Sequence, residues 1–325
     1  MTDSLEPARS VRPARRTAAA SRRTQPTGLF TRADARATGW SDDAIGHAVK
    51  AGRWTRVAPG LYVEAGGTEP TSLLRAQAAA RTCERAVISH AAAAELHGLP
   101  TLIEPDRPCL TVPAGTALRC LENVHLHRAG LDKVEVRQIG GARATAVPRR
   151  VADVAREHGI DAGVVVADAA LRLGLARAAD LGQAVDRCHG WPGSAAARRM
   201  SQLMDGRAES VLESVSRVRI ADAQLPPVHL QVGIGDEWGR FVARADFYWP
   251  QFGVIGEADG NLKYDEGRAA IVAERRRQQR LEDLGLVVVR WEWSDLTRFE
   301  VVVRRLRAAF ARGVPPGHGQ RWSLL

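Results

Sequence analysis

The stretch Ala243 to Tyr264, ARADFYWPQFGVIGEADGNLKY, constrains this chain more than any other. Two apolar runs flank Trp249-Pro250-Gln251-Phe252-Gly253, and Pro and Gly between such runs specify a tight reversal. A hairpin centred between Gln251 and Phe252 sets Asp246 opposite Glu257, with Cβ atoms about 4.5–5.5 Å apart across the strands. Glu257 and Asp259 are two apart and share a strand face. Carboxylates packed that closely repel unless a cation lies between them. Hard divalent ions such as Mg²⁺, with Mn²⁺ as a substitute, take oxygen ligands of this kind. The same residues admit a plainer reading, in which Asp246 is a strand-edge charge and Asp259-Gly260 a turn pair.

The segments around the hairpin have a regular order. Ala208 to Ala223 reads as a helix with Leu212, Val215, Val218 and Arg219 at helical steps, and Val228 to Ile234 as a strand. After the hairpin, Glu266 to Leu284 is an Arg-rich helix stopped by Gly285. Leu286 to Trp291 is a continuous apolar run, which suits a strand covered on both faces. Ser294 is placed to cap a last helix to Arg312. Residues 206–325 therefore read αβββαβα. Glu209 and Glu213, four apart, share a helix face. Arg275, Arg276, Arg277 and Arg280 line the helix after the hairpin, either to grip a phosphate backbone or as a solvated face.

At the other end, residues 1–26 are Arg, Ala, Ser, Thr and Pro with almost no large apolar side chain, the composition of a disordered basic tail. Residues 27–66 change character. Thr31 is placed to cap a short helix that stops at Gly39, and Ser41 a second one that stops at Gly52. Two extended runs then flank Pro59-Gly60. Helix, turn, helix, hairpin is the order of a small winged helix. It offers His47 and Lys50 on the second helix and Arg53 and Arg56 on the hairpin, for phosphates or base edges.

The middle region, 67–205, is mixed α+β. Residues 71–98 read as helices, CLTV, NVHLH and VEVRQI as short strands, and 148–204 as helices broken at Gly159, Gly174 and Gly190. His90 and His97 lie seven apart, without the spacing of a zinc enzyme. His125 and His127 share a strand face with no third ligand nearby in sequence, so they read as structural. Cys83, Cys109, Cys120 and Cys188 are widely spaced and form neither a zinc signature nor a disulfide framework, which fits a reducing cytoplasm. No apolar run is long enough to span a bilayer.

The net charge of +9 favours an anionic partner, nucleic acid first. Almost all of that positive charge is arginine; Lys50, Lys133 and Lys263 are the only lysines.

Two resemblances follow from particular words. GLFTRADARATGWSDDAIGHAVKAGRWTRVAPGLYV and ISHAAAAELHGLP resemble the front of the AbiEi-type antitoxins, transcriptional autoregulators of toxin–antitoxin systems. That resemblance implies a winged-helix DNA-binding role and a cognate toxin. RAESVLESVSRVRIADAQLPP, ARADFYWP, VIGEADGNLKY and DLGLVVVRWEWSDL resemble the PD-(D/E)XK restriction-endonuclease-like fold, in the branch related to very-short-patch repair endonucleases. This second resemblance implies Mg²⁺-dependent phosphodiester hydrolysis. It casts Asp246 and Glu257 as metal ligands, with Glu209 or Glu213 as the helix glutamate. Asp259 stands where the family has lysine, which leaves Lys263 as the candidate to orient the attacking water. Three functions follow from these expectations: a DNA endonuclease acting on double-stranded DNA, a regulator and antitoxin whose nuclease-like half has lost cleavage, or a nucleic-acid adaptor that recruits another protein.

Overall fold

The computed structural model describes residues 28–65, 71–83, 85–103, 107–116, 124–139, 141–260, 268–313 and 321–325. The expected basic tail 1–26 and Lys263 lie outside them. The chain divides into two units, Met1–Pro70 and Thr71–Leu325. Among the described residues it is a mixed α/β protein with three sheets.

The first unit holds β1 (Phe30–Thr31), α1 (Arg32–Ala37), α2 (Asp42–Lys50), β2 (Trp54–Ala58) and β3 (Leu61–Glu64). Thr31 caps α1 through a capping box with Asp34, and the Ser41 side chain accepts from the Ala44 amide at the start of α2. Each such cap is worth about 1 kcal/mol. The sheet runs β1-β3-β2, all antiparallel. Phe30, Trp40, Trp54 and Tyr62 pack with Ala35, Ile45 and Ala48 into one small core. Trp54 meets Phe30 edge-on at 4.7 Å and Trp40 at 4.4 Å between centroids. Large aromatic side chains let so short a segment bury enough apolar area to hold together.

The second unit begins with α3 (Ser72–Thr82), β4 (Val87–Ile88), α4 (His90–Leu96), β5 (Cys109–Val112), β6 (His125–Arg128), β7 (Val136–Ile139) and β8 (Ala142–Thr145). These strands form a sheet in the order β6-β5-β4-β8-β7. The expectation that residues 71–98 are helical throughout fails at β4. Val87 and Ile88 become a strand only because Thr111, Leu110 and Ala144 pair with them. The long helix α5 (Val147–Arg172) follows, with Pro148 in its first turn and a break at Gly159, then α6 (Ala178–Arg187) and α7 (Ser194–Leu203). Together these helices enclose an Ala- and Val-rich core.

The remaining elements are α8 (Val211–Asp222), β9 (His229–Asp236), β10 (Phe241–Trp249), β11 (Val254–Ala258), α9 (Arg268–Asp283), β12 (Val287–Trp291), α10 (Glu300–Arg312) and β13 (Trp322–Leu324). The sheet order is β12-β11-β10-β9-β13, with only β11 and β12 parallel. A 3₁₀ turn at Pro250–Phe252, closed by Gly253 at φ 60°, reverses β10 into β11. Ser294 does not cap α10: Trp293–Arg298 forms a 3₁₀ helix first. One core packs Phe247, Trp249 and Trp291 against Val302 and Leu306 of α10. A second packs Tyr248 and Ile255 against Leu281 of α9. Asp168 of α5 accepts from Ser214 Oγ at 2.8 Å and pairs with Arg217 Nη2 at 2.5 Å, which ties α8 to the helical layer.

Candidate functional site

In the first unit the four basic residues singled out by sequence are all exposed. His47 and Lys50 lie on the last turn of α2, three apart and hence on one face. Arg56 lies on β2, which the strand order places at the edge of its sheet, and Arg53 directly precedes it. The Arg53 guanidinium stands 5.8 Å from the Trp40 ring centre, a cation–π contact that steadies its stem and leaves its donors outward. The acidic start of α2 is offset locally: Asp42 pairs with Arg36 at 2.5 Å and with Arg32 at 3.7 Å. Those bonds hold the Asp42 carboxyl below its ordinary range, the Arg36 hydrogen bond contributing most.

In the second unit the hairpin register pairs Phe247 with Gly256, Tyr248 with Ile255 and Trp249 with Val254. One step further along, Asp246 faces the Glu257 position. Its Oδ2 accepts from the Ala258 amide at 3.0 Å and its Oδ1 from Gln231 Nε2 at 3.3 Å. The same Gln231 Nε2 donates to Glu213 Oε2 at 2.8 Å. Gln231 holds this bridge at φ 55°, a left-handed backbone that a residue other than glycine adopts at a cost. Burial, then the charge of Glu213, pushes the Asp246 carboxyl up to about 6. The exposed Glu209 side chain turns to Arg244 at 2.5 Å, while its backbone amide donates to Glu213 Oε2 at 2.9 Å.

Glu257 is buried, and guanidinium groups flank it. Arg277 Nη1 approaches one oxygen at 2.8 Å and Arg290 Nη2 the other at 2.7 Å. Arg290 is its neighbour across the parallel β11–β12 ladder and also reaches Asp259 at 3.9 Å. The arginine run on α9 thus divides. Arg277 turns inward, while Arg275, Arg276 and Arg280 face outward. The carboxylates in this arrangement do not fit Mg²⁺. That ion needs oxygens with lone pairs facing one point, whereas both Glu257 oxygens face cationic nitrogens. Among the described residues, Asp246, Glu257 and Asp259 do not form a group of three ligand atoms within 4.8 Å of one another.

A different cluster has that property. Cys109 on β5, His125 and His127 on β6 and Glu157 on α5 bring one ligand atom each within 4.8 Å of all the others. The two histidines show no third candidate ligand nearby in sequence, and the fold brings two to them. Parallel pairing of Cys109 with His125 and of Thr111 with His127 puts the ligands side by side, and the helix break at Gly159 brings Glu157 against them. The H-x-H on a predicted strand was the readable signal; its partners lie 16 positions before His125 and 30 after His127.

Residues 17–65 match the family described as "Transcriptional regulator, AbiEi antitoxin". Over 163 residues the chain is 31% identical to the uncharacterized proteins Rv2248 and MT2308 of two Mycobacterium tuberculosis strains, a match covering 50% of this chain and 59% of theirs. The chain thus spans about three-fifths of the length of these relatives. Among solved structures, the RV2827C protein from Mycobacterium tuberculosis aligns at 15% identity and a TM-score of 0.38, covering 64% of this chain and 79% of that one. The front of the molecule is therefore AbiEi-antitoxin-like. No helix among the described residues is long and apolar enough to cross a membrane.

Proposed function

We propose that this protein is a cytoplasmic DNA-binding transcriptional regulator of the AbiEi antitoxin type, and that its second half is a restriction-endonuclease-like PD-(D/E)XK fold retained without cleavage. One observation carries the reading: the segment matching the AbiEi family presents His47, Lys50, Arg53 and Arg56 outward from α2 and the edge strand β2. The helix would enter a groove while the hairpin rests on the backbone, as in other helix-plus-wing readers. The αβββαβα order supports the nuclease-like assignment of the back half. Glu257, flanked by Arg277 and Arg290, supports its loss of metal chemistry, and the exposed Arg275, Arg276 and Arg280 remain available to DNA. As an antitoxin it would act with a cognate toxin.

The test is binding to the DNA upstream of the protein's own gene, measured across a range of salt. Arg53→Ala with Arg56→Ala should weaken binding and lower the salt slope by roughly two units, about one for each phosphate contact removed. An unchanged slope removes the wing from the reading. Incubation with supercoiled plasmid and Mg²⁺ or Mn²⁺ should leave the DNA intact. Chelator-sensitive cutting would instead select the endonuclease.

A further inference from the structure

We propose that the face between β5, β6 and the break in α5 is a transition-metal site of the zinc type, with Cys109, His125, His127 and Glu157 as its four ligands. Strand alternation builds it. Leu110, Val112 and Leu126 pack into the apolar core on one side of the sheet. Cys109, Thr111, His125 and His127 alternate with them and therefore share the other side. Gly159, at φ 89° and ψ −175°, takes a backbone conformation essentially restricted to glycine, and the resulting break lays Glu157 over that side.

The geometry suits a tetrahedral ion. Bond lengths of about 2.0–2.3 Å put ligand atoms about 3.3–3.8 Å apart. The four atoms here already lie within 4.8 Å of one another. His125 Nδ1 is 3.0 Å from Glu157 Oε1, and His127 Nε2 is 3.4 Å from Glu157 Oε2. Neither His127 Nε2 nor Glu157 Oε2, both buried, has a hydrogen-bond partner among the described residues. One thiolate, one carboxylate and two imidazoles neutralise a dication. Sulfur and nitrogen donors favour zinc over magnesium or calcium. On binding, the Cys109 thiol proton passes to solvent and the imidazoles coordinate through unprotonated nitrogens.

The surroundings support the set. His90 Nδ1 lies 2.9 Å from Ser89 Oγ, its Nε2 lies 3.3 Å from Glu157 Oε2, and its ring stacks on His127 at 3.7 Å. The His90 imidazole thus lies against the same carboxylate oxygen and the His127 ring, a polar neighbour of the kind that surrounds ligating groups. His90 does so at φ 52°, a conformation that costs backbone energy. His158 adds a fourth imidazole, 3.8 Å from the same oxygen. One turn earlier, Asp153 is neutralised by Arg149 at 2.8 Å and Arg156 at 2.9 Å. Where Asp153 meets two arginines, Glu157 is surrounded by imidazoles and a thiol, the donors a metal takes.

The experiment uses the full-length protein stripped of metal and titrated with Zn²⁺ against a chromophoric chelator, then with Co²⁺. Wild type should bind one equivalent of Zn²⁺. Its Co²⁺ form should show a sulfur-to-metal charge-transfer band in the near ultraviolet, and Cys109→Ser should abolish that band. His127→Ala should weaken Zn²⁺ binding on the order of a hundredfold, while Asp246→Asn leaves it unchanged. Failure of wild type to compete with the chelator, or a Co²⁺ spectrum without the sulfur band, would overturn the site whether or not the variants fold. Equal Zn²⁺ affinity in a folded His127→Ala would overturn it as well. DNA binding by the wing is independent of each of these readouts.

Discussion

The two polar clusters of the second unit differ in what balances their charge. Around Asp246 and Glu257, acids adjacent in the hairpin are met by Arg277, Arg290 and the Gln231 amide. Around Glu157, one acid is met by four imidazoles and a thiol whose residues come from α4, β5, β6 and α5. The first is conspicuous in sequence, and the charge of its Glu257 is met by two arginines of the chain. The second is inconspicuous in sequence, yet it is the one holding donors suited to a metal. Proximity of acidic residues along a strand therefore says little about an ion until the cations opposite them are known. A guanidinium is permanently charged and settles the matter, whereas an imidazole at neutral pH leaves the carboxylate in need of a partner.

The largest expected effect breaks the arginine-balanced cluster. Glu257→Gln removes the buried charge that Arg277 and Arg290 both meet, and removing one member of a buried ion pair costs about 3–5 kcal/mol. The two arginines are 26% exposed at the side chain, so the loss belongs at the lower end of that range. Urea unfolding measures it. A loss under about 1 kcal/mol would mean the ion pairs contribute no more than surface bridges do, and the contrast with the histidine cluster would weaken.

Asp246→Asn should act in the opposite direction. The folded protein holds this carboxyl up near about 6, mainly through burial and then the charge of Glu213. The unfolded chain ionises near the ordinary value of about 3.8. Between those values the folded state binds more protons than the unfolded, so stability falls as pH rises through about 4 to 6 and is level above. A neutral Asn avoids that fall. At pH 7 the variant should gain up to about 2–3 kcal/mol, reduced because its amide offers one oxygen to two donors, the Ala258 N–H and Gln231 Nε2, and the pH-dependent part should be gone below about pH 4. A gain that does not vanish in acid would show that the ionised Asp246 was not the cause.

The smallest effect sharpens the other side of the comparison. Gly159→Ala meets no neighbouring atom within 4 Å of the added Cβ, so its cost is backbone strain alone, about 1–3 kcal/mol. The break in α5 should relax and draw Glu157 from the histidines. A melting temperature lowered together with Zn²⁺ affinity is the expected outcome. A lowered melting temperature with unchanged affinity would separate the break from the placement of Glu157.

Much of the architecture could be read from local chemistry. Thr31 and Ser41 announce their helices because a cap is satisfied within four residues. Trp249 to Gly253 announces its hairpin because proline and glycine restrict their own backbone. The order helix, three strands, helix, strand, helix follows from periods of 2 and 3.6, which the chain carries without reference to its fold. So does the basic display of the wing, since exposed charge on a short capped helix needs no tertiary information.

Other features depended on neighbours brought in from afar. Val87 and Ile88 are too few to declare a strand, and only Thr111, Leu110 and Ala144 make them one. Sequence placed Asp246 and Glu257 opposite each other but gave no sign that Arg290 would come alongside Glu257 by parallel pairing, or that Arg277 would turn inward. The histidine cluster lay further beyond reach. His125 and His127 share a face by alternation alone, but Cys109 joins them through a parallel ladder, and Glu157 through a helix broken at a single glycine. Sequence by itself determined which residues carry charge and which local elements they ride on, because propensity, capping and alternation act over a few residues. The tertiary structure decided which of those charges meet, because pairing across a sheet and packing of a helix on it join positions that share no local constraint.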